Sequence, residues 1–277
     1  MTIIDSHQHF WQYSPVRDTW MDESMKALRR DFMPPELAAE LQANDVAGSV
    51  AVQAGQSEQE TIFLLGLAER HAFVKGVVGW VDLRAENVEE RLAHFSTYPK
   101  LKGFRHIVQA ERDPDFMLGK AFLNGISHLE KYGFTYDILI FPHQLGAALE
   151  LARQFPRQRF VVDHLAKPRI REGLCDGWAG PMAALGQLGN VWCKLSGMVT
   201  EANWNGWKYS DLLPYLDHVV QSFGPQKLMF GSDWPVCLLA GNYTIVKSIL
   251  DRYLGSLTEA AGMGIWGGNA EAFYRLG

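Results

Sequence analysis

The sequence predicts an α/β chain folded as a single (β/α)8 barrel of the TIM type, and three observations carry that prediction. Short apolar runs alternate with longer amphipathic segments along the whole chain, a pattern that implies parallel strands covered by helices. Eight such units fit within 277 residues, close to the roughly 250 usual for a closed barrel. The first strand leads into DSHQHF. An open doubly wound sheet, the other candidate, would normally place a glycine-rich phosphate turn there.

Taken in order, the predicted strands are the apolar runs Ile3–Ser6, Ser49–Gln53, Val74–Val81, Gly103–Ile107, Thr135–Ile140, Arg159–Val162, Val191–Leu195 and Leu228–Gly231. The amphipathic segments between them predict helices over Pro35–Asn44, Gln59–Arg70, Val88–Phe95, Lys120–Tyr132, Pro142–Gln154, Trp178–Leu188, Leu212–Phe223 and Tyr243–Leu254. A ninth, Ala270–Leu276, ends the chain. Pro235 stops the last strand, since proline cannot donate to a sheet ladder. No Gly/Ser-rich or charged tract divides the run, and no internal repeat is visible, so residues 1–277 read as one domain. Residues 10–34 form the one long connection. A loop of that length at a barrel mouth is expected to be a lid or pocket wall, with a plain surface excursion as the alternative.

Composition narrows the function. The chain is 47% hydrophobic and 21% charged, as in ordinary globular proteins. A net charge of -5 argues against a nucleic-acid surface, which needs clustered Lys and Arg. No apolar run approaches the roughly 20 residues that span a bilayer, and no basic, apolar leader is visible. Three cysteines without paired spacing read as free thiols, which fits a cytoplasmic location.

Barrel active sites gather at the C-terminal ends of the strands. The first strand ends in His7 and His9, which project to one side because strand positions i and i+2 share a face. Alone, such a pair reads as two partly buried histidines capping a strand. The sixth strand, however, ends in Asp163 and His164, the seventh offers Lys194 and Ser196, and the eighth ends in Ser232, Asp233 and Trp234. Three histidines and a carboxylate therefore converge on one mouth. The fourth strand ends in Arg105 and His106, of which alternation admits only one to the interior unless the strand has already ended. His71, His94, His128 and His218 fall in or beside amphipathic helices and are expected to be solvated or capping. His143 opens a helix after Pro142, within reach of the mouth. Cys193 reads as buried filler, because no base is predicted beside it.

The stretches DSHQHFW, QAGQSEQET, GFRHIVQ, VVDHLAKP, WCKLSGMVTEANW and FGSDWPV together resemble the amidohydrolase-2 branch of the amidohydrolase superfamily. Within it they are most similar to sugar-acid lactonases of the L-fuconolactone and L-rhamnonolactone type. The resemblance runs from Asp5 to the terminal GNAEAFYRL and implies an amidohydrolase-like distorted barrel and hydrolysis or, in some relatives, decarboxylation. The family's strand-one pair matches His7 and His9, its strand-six histidine matches His164, and its strand-eight aspartate matches Asp233. The carbamylated lysine that holds a second metal in many members has no counterpart in FRHI. The resemblance thus implies one divalent ion, zinc or manganese, held by His7, His9, His164 and Asp233, or none at all.

For a small-molecule sugar lactone as substrate, Asp233 is the expected general base. The histidines either hold the metal or donate hydrogen bonds to the developing oxyanion. Arg105 or His106 would clamp the substrate, with a strand-end salt bridge as the alternative for Arg105. Glu58 or Glu60 would supply a further ligand or anchor a hydroxyl, unless Glu60 serves the first turn of its helix. Trp11, Trp204, Trp207 and Trp234 lie in predicted mouth loops and either stack on a sugar ring or pack loop against loop. A metal-dependent decarboxylase on the same scaffold, or a non-catalytic sugar-acid binding protein, is the competing expectation. Nothing in the sequence sets an oligomeric state.

Overall fold

The computed structural model describes residues 2–277. Eight strands, β1 (Ile4–Gln8), β2 (Gly48–Val52), β3 (Val74–Gly79), β4 (Leu101–His106), β5 (Thr135–Ile138), β6 (Phe160–Val162), β7 (Val191–Leu195) and β8 (Leu228–Phe230), pair in chain order. All seven ladders are parallel. The barrel closes just beyond β8, where the Asp233 amide donates to the His7 carbonyl at 2.9 Å and the His9 amide to the Trp234 carbonyl at 2.7 Å. The predicted (β/α)8 barrel is the observed fold.

The helices are α1 (Pro34–Ala43), α2 (Glu58–Arg70), α3 (Val88–Phe95), α4 (Lys120–Leu129), α5 (Leu145–Gln154), α6 (Ala179–Gly186), α7 (Tyr209–Phe223), α8 (Tyr243–Leu254), α9 (Glu259–Met263) and α10 (Asn269–Tyr274). Helix α9 and the π-turn Gly264–Gly268 after it were not expected from sequence, because glycine disfavours helix by about 1 kcal/mol per residue. Packing overrides that preference: Trp266 in the turn is buried edge-on against Phe230, ring centroids 5.0 Å apart. Strand β1 runs past its predicted end at Ser6 to include His7 and Gln8, with a register shift between Asp5 and Gln8.

The inside of the barrel has two levels. Ile4, Val50, Val52, Val78, Val161 and Met229 form an apolar floor, sealed from below by Phe273 and Tyr274 of α10. Above it sit Arg105, Asp137, Asp163 and Lys194, all buried. Their neighbours Phe104, Tyr136, Val162 and Cys193 belong to the outer core that receives the helices, as strand alternation requires. Two cations and two carboxylates leave no net charge, the condition under which buried ions are tolerated.

Residues 10–34 carry a 3-10 turn, Glu23–Leu28, and are pinned beside β1 by paired Trp11 and Phe32 backbones. Phe10, Trp11, Met21, Leu28 and Phe32 are buried, whereas Val16 and Trp20 at the tip are exposed. Among the described residues no helix is long and apolar enough to cross a membrane, and Cys175, Cys193 and Cys237 are free thiols.

Candidate active site

Four side chains from three strand ends meet at the barrel mouth. His7 and His9 bring their Nε2 atoms to 3.1 Å of each other. Asp233 Oδ1 lies 3.9 Å from His7 Nε2, 3.4 Å from His9 Nε2 and 3.8 Å from His164 Nε2. None of the four is more than about one-twentieth exposed. Asp5 braces the β1 and β8 ends: its carboxylate accepts from the Ser232 amide at 2.9 Å, the Ser232 hydroxyl at 2.6 Å, the Tyr243 hydroxyl at 3.0 Å and the His7 amide at 3.1 Å.

Backbone strain accompanies the site. His164, Leu165, Ala166 and Lys167 all have φ between 50° and 55°, a full left-handed turn, and Asp233 has φ of 57°. Left-handed helix costs an L-residue about 1–2 kcal/mol. Such conformations persist only where surrounding contacts over-determine them, and they mark places where aim matters more than comfort. Here the Leu165 carbonyl accepts from the Trp178 indole at 2.6 Å, and His164 Nδ1 meets the Ser196 hydroxyl at 2.8 Å.

Burial dominates the electrostatics. It pushes His164 down to about 4 and, with the Lys194 charge, holds His7 well below its ordinary value. Both imidazoles are therefore neutral near pH 7. Burial alone would raise Asp233, but the adjoining His164 and His9 outweigh it, and the carboxyl sits below its ordinary range. Asp163 is also raised by burial and then brought well down by Lys194, His7 and Arg105.

This donor set fits a single divalent ion. His9 Nδ1 lies 2.7 Å from the Val52 carbonyl, which can only accept, so Nδ1 keeps its proton and Nε2 has the lone pair. His7 Nδ1 lies 3.4 Å from Asp163 Oδ1. His7, His164 and Asp233 each offer a ligand atom within 4.8 Å of the others, and His9 adjoins them. Neutral imidazoles and a carboxylate crowded this closely are the ligand types that a divalent cation takes.

The other sequence candidates are placed as follows. Arg105 takes the inward position, donating to Asp163 Oδ2 at 2.9 Å and to the Gln53 carbonyl, with Nη1 3.3 Å from His7 Nε2. His106 is not drawn into the cluster: it bonds Glu111 at 2.8 Å and stacks on Phe116. Glu60 turns back to accept from the Ala54 and Gly55 amides at 2.5 and 2.8 Å, while lining a cleft with Trp11 and Arg17. Glu58 leaves the mouth to pair with Arg91. Trp11 lies beside His9, ring centroids 6.4 Å apart, with its indole donating to the Arg30 carbonyl. Trp234 packs edge-on to Phe10 and Phe32, and the Trp207 indole donates to the Ala240 carbonyl. Trp204 lines a second cleft together with His143. His218 bonds the Ala179 carbonyl, and Cys193 is fully buried, with its thiol pushed up by desolvation.

Lys194 and Asp163 were named as strand-end residues, but sequence reasoning missed Asp137, Tyr274 and the network that joins them beneath the site. Lys194 Nζ lies 3.1 Å from His7 Nδ1, 2.5 Å from Asp137 Oδ2 and 3.0 Å from Asp163 Oδ1. Asp137 also accepts from the Tyr274 hydroxyl at 2.7 Å. Gly197, with φ of +65°, is a second omission. A Cβ there would lie 2.6 Å from His164 Nδ1. Gly197→Ala is therefore expected to displace the His164 ring and weaken binding of a divalent ion by roughly 10–100-fold, as loss of a ligand's support does. Titration calorimetry checks this, and wild-type affinity in the folded variant would refute it.

A family model described as Amidohydrolase matches residues 4–276. An L-fucono-1,5-lactonase of Burkholderia multivorans is 41% identical, with 99% of this chain and 96% of that protein covered. A second, from Burkholderia ambifaria, is 37% identical, with coverages of 99% and 95%. The crystal structure of an amidohydrolase from Burkholderia multivorans with bound zinc superposes at a TM-score of 0.96, with 40% identity and 100% of both chains covered.

Proposed function

This chain belongs to the amidohydrolase family, and from that premise we propose that it hydrolyses a sugar-acid lactone of the L-fucono-1,5-lactone class, with Asp233 as the general base. The observation that carries the reading is the depressed, buried Asp233 carboxylate set within 4 Å of three imidazole Nε2 atoms, in a chain that resembles lactonases along its full length.

Asp233 accepts a proton from water as the oxygen attacks the lactone carbonyl. The tetrahedral centre collapses, the ring C–O bond breaks, and the proton held by Asp233 passes to the departing ring oxygen. Water is thereby divided between the new carboxyl and the new hydroxyl. A divalent ion bound by His7, His9, His164 and Asp233 would supply Lewis-acid polarisation of the carbonyl. Arg105, Lys194 and Asp163 pack beneath the His7 ring, the two cations paired with the Asp163 carboxylate. Trp11 and Glu60 wall the mouth on the β1–β2 side.

A decarboxylase would need a free cationic clamp for the substrate carboxylate. Arg105 is already committed to Asp163 and the Gln53 carbonyl, which favours the lactonase reading. The test is a pH-indicator screen of aldonolactones with the metal content measured on the same sample. Acid release above the spontaneous rate with L-fucono-1,5-lactone is expected, with at most one divalent ion per chain. Absence of acid release across the lactones, from folded and metal-loaded protein, would refute the reading.

A further inference from the structure

A cleft of about 420 Å³ is lined among others by Phe141, Lys167, Glu201 and Trp204. That size suits a small ligand. The left-handed turn links the cleft to the cluster. His164 and Lys167 stand three residues apart on a single helical turn, so both side chains leave on nearly the same side, and the Lys167 amide closes the turn on the His164 carbonyl at 2.8 Å. The Lys167 charge is felt at both His164 and Asp233, and that of Asp233 at Glu201.

Lys167 Nζ lies 3.5 Å from Glu201 Oε1, a loose pair whose side chains are 18% and 22% exposed. The ammonium also sits 5.5 Å from the centre of the Phe141 ring. The Trp204 indole is fixed by its bond to the Thr200 carbonyl at 2.8 Å. An ammonium offers three donors and a carboxylate about four lone pairs, so the pair leaves most of its hydrogen-bonding capacity open to the cleft. A sugar hydroxyl both donates and accepts, and neighbouring hydroxyls match such a pair; the C–H face of the ring matches an aromatic wall.

We propose that Lys167 and Glu201, with Trp204 as the wall beside them, form the subsite that recognises the ring hydroxyls and so decides which sugar lactone is opened. This assignment rests on the lactonase reading above. A lactone without hydroxyls leaves the charged pair unsatisfied, and the subsite rejects it for that reason.

The test compares L-fucono-1,5-lactone with δ-valerolactone, which has the same ring without hydroxyls, on the metal-loaded full chain. For both Lys167→Met and Glu201→Gln, kcat/KM on the sugar lactone is expected to fall at least about 10-fold further than on δ-valerolactone, with most of the difference in KM. Equal losses on the two lactones, or no loss in either folded variant, would overturn the subsite. Wild-type protein that opens neither lactone would count against the lactonase reading instead. Calorimetry then judges the subsite with the ring-opened acids: wild type must prefer L-fuconate over 5-hydroxypentanoate by about 10-fold or more, and Glu201→Gln must lose that preference. Absence of the preference in the wild type overturns the subsite.

Discussion

Asp233→Asn is expected to lower lactone turnover by at least about 10²-fold, the lower end for losing a general base. The amide keeps the shape of the side chain and can still meet the imidazoles, but it has no basic oxygen for the proton of water. The fold is expected to survive, because the backbone bonds that seat residue 233 do not involve the carboxylate: its amide donates to the His7 carbonyl and its carbonyl accepts from the Cys237 amide. Since Asp233 is also in the donor set for the ion, metal occupancy must be measured on the same protein. The rate to compare is the enzymatic one after subtraction of spontaneous lactone hydrolysis. A folded variant that opens lactone at the wild-type rate would end the role of Asp233 as base.

Lys194→Met is expected to destabilise the protein by about 3–5 kcal/mol, the usual consequence of removing one partner from a buried ion pair. The substitution fills similar volume, so the effect comes from charge. Asp137 and Asp163 would be left in the barrel with Arg105 as the one remaining cation of the four. In a chain of this size the midpoint of thermal unfolding should drop by roughly 6–20 °C. Restoring the balance with Asp137→Asn in the same chain should recover part of the loss, since residues in one network do not act additively. A melting midpoint unchanged by Lys194→Met would show that the network does not stabilise the barrel.

Much of the candidate site was legible because its members end strands. DSHQHF, VVDHL and FGSDWP each place polar, ligand-type residues directly after an apolar run, and a barrel gathers those points at one end. The supporting network was not legible in the same way. In TYDI and VWCKL a charge inside a short apolar run fits either face of the strand. Only closure of the sheet turned Asp137 and Lys194 toward each other, and the Tyr274 that completes the set is 137 residues away from Asp137. The choice between Arg105 and His106 was likewise settled by the register of β4 against β5, where the two residues pair with Asp137 and Ile138.

Two tryptophans make the same point from the loops. Trp11 and Trp234 were readable as mouth residues, but both pack against Phe32, a contact set by the folded course of residues 10–34. By itself the sequence determined the alternation of eight strands and helices, and the strand ends where chemistry collects. Those follow from periodicities of two and 3.6 residues that any local window contains. The tertiary structure alone decided which inward charges face each other, which aromatic rings become packing, and that His164 and Lys167 share one strained turn. Each of these depends on contacts between distant segments, whose energy exists only once the barrel has closed.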